Sequence, residues 1–252
     1  MRFDVLTLFP DMFEAVLGTS IIGRARDVGS IEMEFTNIRD YSQDKHKRVD
    51  DYPYGGGAGM VMAAPPIYDA WKAVCERSEI EPFTIFMSPQ GRVLDQGLAK
   101  ELAEKQHLVI ICGHYEGIDE RVVQEIADME VSLGDFVLTG GEIPAMALVD
   151  CVARMIPGVL AEEEGYVDES HFNGLLEYPQ YTRPSEWRGR GVPEVLLSGH
   201  HSNILKWRRI QALFRTWLKR PDMLKSADLD KKDREFLQGL KGKRRKGKKS
   251  IY

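Results

Sequence analysis

The sequence SLGDFVLTGGEIPA at residues 132–145 holds the most informative pattern of the chain. Its apolar run at 136–138 predicts a short strand, the glycine pair at 140–141 predicts a tight turn, and Pro144 is typical of a first helical turn. A strand, a glycine turn and a helix in this order bring bare backbone N–H and C=O groups together, where they can hold a small ligand. A turn that serves packing alone fits the same pattern, so the neighbouring sequence has to separate the two.

Two further apolar runs precede this stretch, FTIFM at residues 83–87 and HLVIIC at residues 107–112. Each is followed by a turn of small or polar residues, SPQG at 88–91 and GHYEG at 113–117, and helical patterns lie between the runs. Strands that alternate with helices indicate a parallel sheet in an α/β domain, and such sheets bind ligands beyond the carboxyl ends of their strands. Three turns at three strand ends therefore predict one pocket, which holds a nucleoside-like ligand through backbone groups.

Two more strands are predicted near the N-terminus, at residues 2–9 and 31–38, where apolar and polar residues alternate. The second is followed by a polar loop at 39–53 and by a glycine cluster, YGGGAGM, at 54–60. This cluster matches neither GxGxxG nor the phosphate-binding pattern GxxxxGK(S/T). A plain surface loop and a binding segment both fit it, and the length of the loop favours a functional segment.

The composition is that of an ordinary globular protein, with 252 residues, 43% of them hydrophobic, and a net charge of −5. No apolar run reaches the length of a membrane span, and the first residues, MRFDVLTLFPDMF, lack the pattern of a signal peptide. Cys75, Cys112 and Cys151 are far apart and odd in number, which argues against a disulfide framework and a zinc site. We expect a cytoplasmic protein without a membrane partner.

The last third of the chain predicts a separate helical domain at residues 186–252, joined to the α/β domain at 1–160 by a linker at 161–185 that is acidic at first and rich in turn formers. Apolar residues in this domain recur every three to four positions, which predicts a helix face that packs in a core. The residues of this face are Ile204, Trp207, Ile210, Phe214 and Trp217.

Basic residues are concentrated in this domain. The tail at 241–249, KGKRRKGKK, has seven basic residues in nine, and the helical pattern before it carries Lys206, Arg208, Arg209 and Arg215. A local basic surface can bind phosphates whatever the net charge of the chain. A solvated end and a nucleic-acid contact both fit the tail.

Several longer motifs carry a family resemblance. They are LFPDMF at 8–13, RVDDYPYGGGAGM at 48–60, SPQGR at 88–92, CGHYEGIDERV at 112–122, SLGDFVLTGGEIPAM at 132–146, GLLEYPQYTRP at 174–184, VLLSGHH at 195–201 and RTWLKRPDML at 215–224. In these motifs, and in their order along essentially the whole chain, the sequence resembles the bacterial tRNA (guanine-N1)-methyltransferases of the TrmD family, in the SPOUT superfamily.

The resemblance implies more than the residue patterns can. It implies an α/β domain whose parallel sheet contains a deep trefoil knot, which binds S-adenosyl-methionine, and a small C-terminal helical domain that binds tRNA. It implies a homodimer with each active site between the subunits. The reaction would be methylation of N1 of the guanosine just 3′ of the anticodon, tRNA position 37, when another guanosine precedes it. Whether Mg²⁺ assists stays open, and no residue is expected to bind a metal.

The resemblance also implies which residues contact S-adenosyl-methionine, at the ends of the three strands. Phe86 stands where the family often has a tyrosine, and we leave it out because it lacks the hydroxyl. The expected contacts are Met87, Ser88, Pro89, Gly113, Tyr115, Glu116, Gly117, Leu133, Gly134, Asp135, Phe136, Val137, Leu138, Gly140, Gly141 and Pro144.

The reaction needs a base for the N1 proton and a group that stabilises negative charge on O6. Arg154 matches the family's arginine for O6. The family's base is an aspartate in a motif resembling D-S-F, and this chain reads Asp168-Glu169-Ser170-His171-Phe172. Counting without gaps from Arg154 and from Gly174 puts Glu169 at the aspartate's place, while Asp168 stays open as an alternative base.

Two other functions fit parts of the sequence. A non-catalytic RNA-binding protein could keep this fold, but the pocket glycines and Arg154 argue against it. A dinucleotide-dependent oxidoreductase would need GxGxxG and an acidic ribose-binding residue at the usual distance, and the sequence has neither.

Overall fold

The computed structural model describes residues 1–160 and 169–246, with the side chains of residues 241–246 outside the described part. The chain divides into two compact units, Met1–Ala161 and Glu162–Tyr252. Within the described residues, no helix is both long and apolar enough to cross a membrane.

A parallel sheet forms the centre of the first unit. Within residues 1–160 the strands are β1 (Arg2–Thr7), β2 (Glu32–Asn37), β3 (Asp50–Asp51), β4 (Val61–Met62), β5 (Phe83–Val93), β6 (His107–Cys112) and β7 (Met129–Ser132). Five of them pair in the order β2-β1-β6-β5-β7, and every neighbouring pair is parallel. The short β3 and β4 form a separate antiparallel pair. The predicted α/β fold with a parallel sheet is thereby confirmed.

Helices cover both faces of this sheet. They are α1 (Pro10–Leu17), α2 (Ser20–Asp27), α3 (Ala64–Arg77), α4 (Gln96–Ala103), α5 (Glu120–Ile126) and α6 (Glu142–Ala153), with a 3-10 turn at Ile38–Tyr41. One apolar cluster joins the sheet to α1, α2, α4 and α6, and the other joins it to α3 and α5. On β6, Leu108 and Ile110 belong to the first cluster, while Val109 and Ile111 belong to the second. A strand buried on both faces explains the continuous apolar run HLVIIC.

The strand predicted at residues 136–138 is wrong. The chain is neither helix nor strand there, and Val137 is 81% exposed. The edge strand is β7, whose Val131 pairs with β5 and fills the core. An apolar run marks a strand only where the run is buried, and the chain leaves the sheet near Gly134, which has a φ of +149°.

The predicted turn SPQG lies inside β5 instead of ending it. Met87 and Arg92 both pair with Val131 of β7, so residues 88–91 bulge out between them. A Cβ on Gly91 would overlap the backbone of Glu130 and Val131, which explains the glycine at this place. Met87, the residue before the bulge, pairs with Cys112, the last residue of β6. The bulge therefore lies at the sheet edge that carries the predicted pocket.

The second unit is mainly helical in its described residues. Its elements are a short hairpin of β8 (Glu186–Trp187) and β9 (Arg190–Gly191), then α7 (Glu194–Leu197), α8 (His201–Lys219), a 3-10 turn at Met223–Lys225, and α9 (Lys231–Lys246). The tail at 241–249 is helical up to Lys246, and its side chains and remaining residues lie outside the described part.

The core of the second unit differs from the predicted apolar stripe. The buried side of α8 carries Ala212, Leu213 and Trp217, whereas the predicted Ile210 is 42% exposed. Of the predicted stripe, Trp217 is buried in this core and Phe214 packs against it. Leu175, which the sequence placed in the interdomain linker, packs in this same core.

Candidate active site

A cavity of about 220 Å³ lies at the carboxyl ends of β5, β6 and β7. The three turns predicted to converge do converge there. Of the expected contact residues, all except Gly134 and Asp135 line the cavity. The structure adds five lining residues that the sequence prediction omitted: Phe86, His114, Val131, Ser132 and Thr139.

The turn after β6 forms one wall and is fixed by the end of the glycine cluster. Glu116 N–H donates to the Met60 carbonyl at 3.0 Å, and Met62 N–H donates to the Gly117 carbonyl at 3.0 Å. Tyr115 has a φ of +60° and Gly117 a φ of +125°, so the turn is held in a conformation that side chains rarely adopt. The glycine cluster thus contacts the cavity wall, as a functional segment would.

The glycine pair forms a second wall, at the start of α6. Gly141 N–H donates to the Gly113 carbonyl at 2.8 Å. A Cβ on Gly141 would lie 2.8 Å from Cys112 Cα, and a Cβ on Gly140 would lie 2.5 Å from Glu142 Oε2. Glycine is therefore required at position 141, because the start of α6 lies directly against the backbone at the end of β6. At position 140 a Cβ would have to displace the side chains of Glu142 and His114.

A buried polar cluster stands behind this wall. Glu142 is 2% exposed and accepts a hydrogen bond from Thr7 Oγ1 at 2.9 Å. Its other carboxylate oxygen is 3.6 Å from His114 Nε2, on the cavity wall. Burial and the nearby Glu142 carboxylate raise the pKa of the Cys112 thiol well above its usual value, so this cysteine is an inert core residue.

The third wall is the loop that follows β7. Phe136, Val137 and Leu138 line the cavity and yet are 54%, 81% and 39% exposed. The loop is held at its start, where Gly134 N–H donates to Ser132 Oγ at 3.1 Å. Because residues 133–139 belong to no helix or strand, most of their backbone groups are outside regular pairing and are available to a ligand.

The expected catalytic residues lie in different units. Arg154 directly follows α6 in the first unit, and its N–H donates to the Asp150 carbonyl at 3.2 Å. Glu169, half-buried, begins the described part of the second unit. Asp168 lies outside the described residues.

The backbone around Glu169 is tied to the core of its unit. Its carbonyl accepts from Phe172 N–H at 3.3 Å, and His171 N–H donates to the carbonyl of Leu175, a core residue, at 2.8 Å. Ser170 Oγ accepts from Glu177 N–H at 3.0 Å. Position 169 therefore belongs to a turn whose backbone is held by hydrogen bonds.

Among the described residues, no group of three or more His, Cys, Asp or Glu side chains is placed to hold a metal ion.

Comparison with known proteins identifies the family. The model of the family tRNA (Guanine-1)-methyltransferase TrmD matches residues 1–226. The tRNA (guanine-N(1)-)-methyltransferase of Ruminiclostridium cellulolyticum is 64% identical over 223 residues, which are 88% of this chain and 96% of that protein.

Two further relatives carry the same name. That of Moorella thermoacetica is 54% identical over 251 residues, 99% of this chain and 100% of its own length. That of Clostridium botulinum (strain Langeland) is 55% identical over 243 residues, 96% of this chain and 100% of its own. With a family model that covers most of its length and relatives that align end to end, the chain belongs to the TrmD family of tRNA (guanine-N1)-methyltransferases.

Proposed function

We propose that the chain transfers a methyl group from S-adenosyl-methionine to N1 of the guanosine just 3′ of the anticodon, position 37 of tRNA. The observation that carries this proposal is the cavity at three strand ends, in a chain that the TrmD family model matches over residues 1–226. We infer a cytoplasmic enzyme, because its substrate is tRNA.

The cavity suits a ligand that is held by backbone groups. A Cβ on Gly141 would overlap the backbone of Cys112 and Gly113, and Gly113 and Gly140 add two more positions without a side chain, so bare backbone forms part of the wall. Apolar side chains such as Met87 and Leu138 offer contact surface beside it. We propose that S-adenosyl-methionine binds to the lining residues of the three turns. Bound there, it supplies the electrophilic methyl group.

Glu169 is proposed to remove the proton from N1 of guanine. N1 carries a proton in the neutral base and cannot attack a methyl group until that proton leaves. A carboxylate oxygen within hydrogen-bond reach of N1 can accept this proton. Hydrogen bonds within residues 169–177 hold the backbone that carries this carboxylate. Asp168 is the competing candidate.

Arg154 is proposed to stabilise the charge that develops on O6 when N1 loses its proton. A guanidinium is always charged and offers several N–H donors, which suits an oxygen that gains negative charge. Arg154 follows α6 at the end opposite the cavity wall, about 18 Å along a helix of 12 residues, so we propose that it serves the cavity of the other subunit.

The knot and the dimer of the family are also proposed for this chain. The match to the TrmD family model over residues 1–226 supports the knot. The exposed apolar residues on and beside α1, among them Phe9, Met12 and Val16 at 39–55% exposure, support a dimer, because such a face is typical of a protein interface. Each active site would then combine residues of two subunits.

Methyl incorporation into a tRNA transcript tests the function. Purified protein, labelled S-adenosyl-methionine and the transcript should together give labelled tRNA, and calorimetry should detect binding of S-adenosyl-methionine but not of NAD. Binding of tRNA without incorporation would favour the non-catalytic alternative. Binding of NAD in place of S-adenosyl-methionine would favour an oxidoreductase.

A further inference from the structure

Arg208 on α8 carries a buried hydrogen-bond donor that has no acceptor among the described residues. This donor is the guanidinium Nε, which is buried and makes no hydrogen bond within the part of the chain that the structure describes. Buried donors are nearly always paired in folded proteins, because an unpaired one loses its hydration without compensation. An external acceptor at Arg208 would remove this cost.

The surroundings of Arg208 form a small concave site. A concavity of about 100 Å³ lies beside the guanidinium and is lined by Asn173, Tyr178, Leu205 and Arg209, among others. The guanidinium carbon lies 4.7 Å from the centre of the Tyr178 ring. An arginine that stacks on an aromatic ring keeps its planar edge of N–H donors free for an acceptor. The site therefore combines a fixed cation with space for a small group.

The neighbouring charges show that Arg208 differs from the arginine next to it. Arg209 donates to the buried Asp233 carboxylate at 2.6 Å and to the Asp228 carbonyl at 2.9 Å. Arg209 therefore ties α8 to α9, and the carboxylate of Asp233 is paired with its charge. No carboxylate in the described part of the chain forms an ion pair with Arg208, so its charge is not neutralised within those residues.

We propose that Arg208, stacked on Tyr178, is an oxyanion subsite that binds one phosphodiester of the tRNA. A guanidinium offers a planar fork of donors that matches two phosphate oxygens, and Nε is one arm of that fork. The inference rests on the proposed function, since it takes tRNA as the substrate. It assigns one phosphate contact to one residue of the second unit.

The salt dependence of tRNA binding tests this subsite. Fluorescence anisotropy of labelled tRNA with the full chain would be measured over a series of salt concentrations for the wild type and for Arg208→Gln, Arg208→Lys and Lys206→Gln. The Lys206→Gln variant is the matched control, since it removes one exposed charge from the same helix. Thermal unfolding and S-adenosyl-methionine affinity, unchanged in all variants, would show that each one is folded.

Arg208→Gln should weaken tRNA binding about tenfold near 0.1 M salt and should lower the slope of log K against log salt by about 0.7–0.9, the value for one phosphate contact. Lys206→Gln should change both much less. Arg208→Lys should fall between, because it keeps the charge and loses the fork. If Arg208→Gln proves unfolded, the loss in Arg208→Lys carries the test.

Three results would overturn the proposal. Equal effects of Arg208→Gln and Lys206→Gln on tRNA affinity and on the salt slope would mean that the helix attracts tRNA through its overall positive charge and not through one phosphate contact. Binding of inorganic phosphate that Arg208→Gln abolishes, with tRNA affinity and slope unchanged, would mean a site for a free anion. If the wild type binds no tRNA, the proposed function is overturned as well. If the wild type methylates tRNA and Arg208→Gln binds tRNA with the same affinity and salt slope as the wild type, this subsite alone is overturned.

Discussion

Gly141 is the residue at which the cavity wall has least room, because a Cβ there would lie 2.8 Å from Cys112 Cα and 2.9 Å from Gly113 N. Gly141→Val should weaken S-adenosyl-methionine binding by roughly 5- to 100-fold, the equivalent of an overpacking cost of about 1–3 kcal/mol. Gly191→Ala is the matched control, since a Cβ there meets open space. Calorimetry with both variants checks this, and an unchanged affinity in Gly141→Val would mean that the ligand binds elsewhere.

Glu169 is the residue on which the proposed chemistry depends. In single-turnover methyl transfer, Glu169→Gln should lose about 10²–10⁴ in rate, the usual contribution of a general base. Asp168→Asn should keep most of the rate. Affinity for cofactor and tRNA, measured separately, should stay the same in both. A crippled Asp168→Asn beside an active Glu169→Gln would show that the aspartate is the base.

Residue-scale prediction from the sequence succeeded where the contacts are local. Tyr115 lies in the turn that directly follows β6, so pattern alone placed it at the edge that carries the cavity. Glu142 and Thr7 were missed because their hydrogen bond joins positions 135 residues apart. His114 could have been found, since it lies inside the turn GHYEG that the sequence singled out.

At the scale of elements, β1 and β6 are joined by a buried hydrogen bond between Asp4 and His107, and Asp4 predicts a pH dependence. Asp4 is fully buried, 2.7 Å from His107 Nε2 and 2.6 Å from Arg2 Nε. Burial raises the pKa of the Asp4 carboxyl, but the hydrogen bonds from His107 and Arg2 outweigh burial and leave the pKa below its ordinary value. The carboxylate is therefore stabilised in the folded state.

The sign of the effect follows from linkage. The unfolded chain binds the Asp4 proton near pH 3.9, above the folded pKa, so the contribution is complete above that pH and is lost as the pH falls through the folded pKa. Asp4→Asn should lower the free energy of unfolding by about 3–5 kcal/mol at neutral pH. It should also make the loss of stability below pH 4 shallower. Urea unfolding at several pH values measures both, with the exposed Asp27→Asn as control; parallel pH curves for Asp4→Asn and wild type would contradict this account.

Element prediction from the sequence failed where burial was the missing information. The run at 136–138 is as apolar as a core strand, yet it lies on the surface beside the cavity. The edge strand β7 has Glu130 in its middle and shows no continuous apolar run. By contrast, β6 is buried on both faces, and its boundaries were predicted correctly. The pattern of apolar residues predicts which residues are buried only when the segments that pack against them are known.

For the whole molecule, the proposed dimer predicts complementation between inactive subunits. In the proposed dimer, each site takes Arg154 from one subunit and Glu169 from the other. Mixing Arg154→Ala and Glu169→Ala subunits should restore part of the activity, up to about a quarter of the wild-type sites for random pairing. Sedimentation at micromolar concentration should show a dimer. A monomer at that concentration would refute the dimer.

The identity of the methylated base tests the account most directly. Labelled S-adenosyl-methionine would be incubated with two transcripts that differ only at position 37, one with guanosine and the other with adenosine, and the modified base would be mapped. The account predicts methylation at N1 of guanosine 37 and none of the adenosine transcript. Equal labelling of both transcripts, or methylation at another nucleotide or atom, would contradict it.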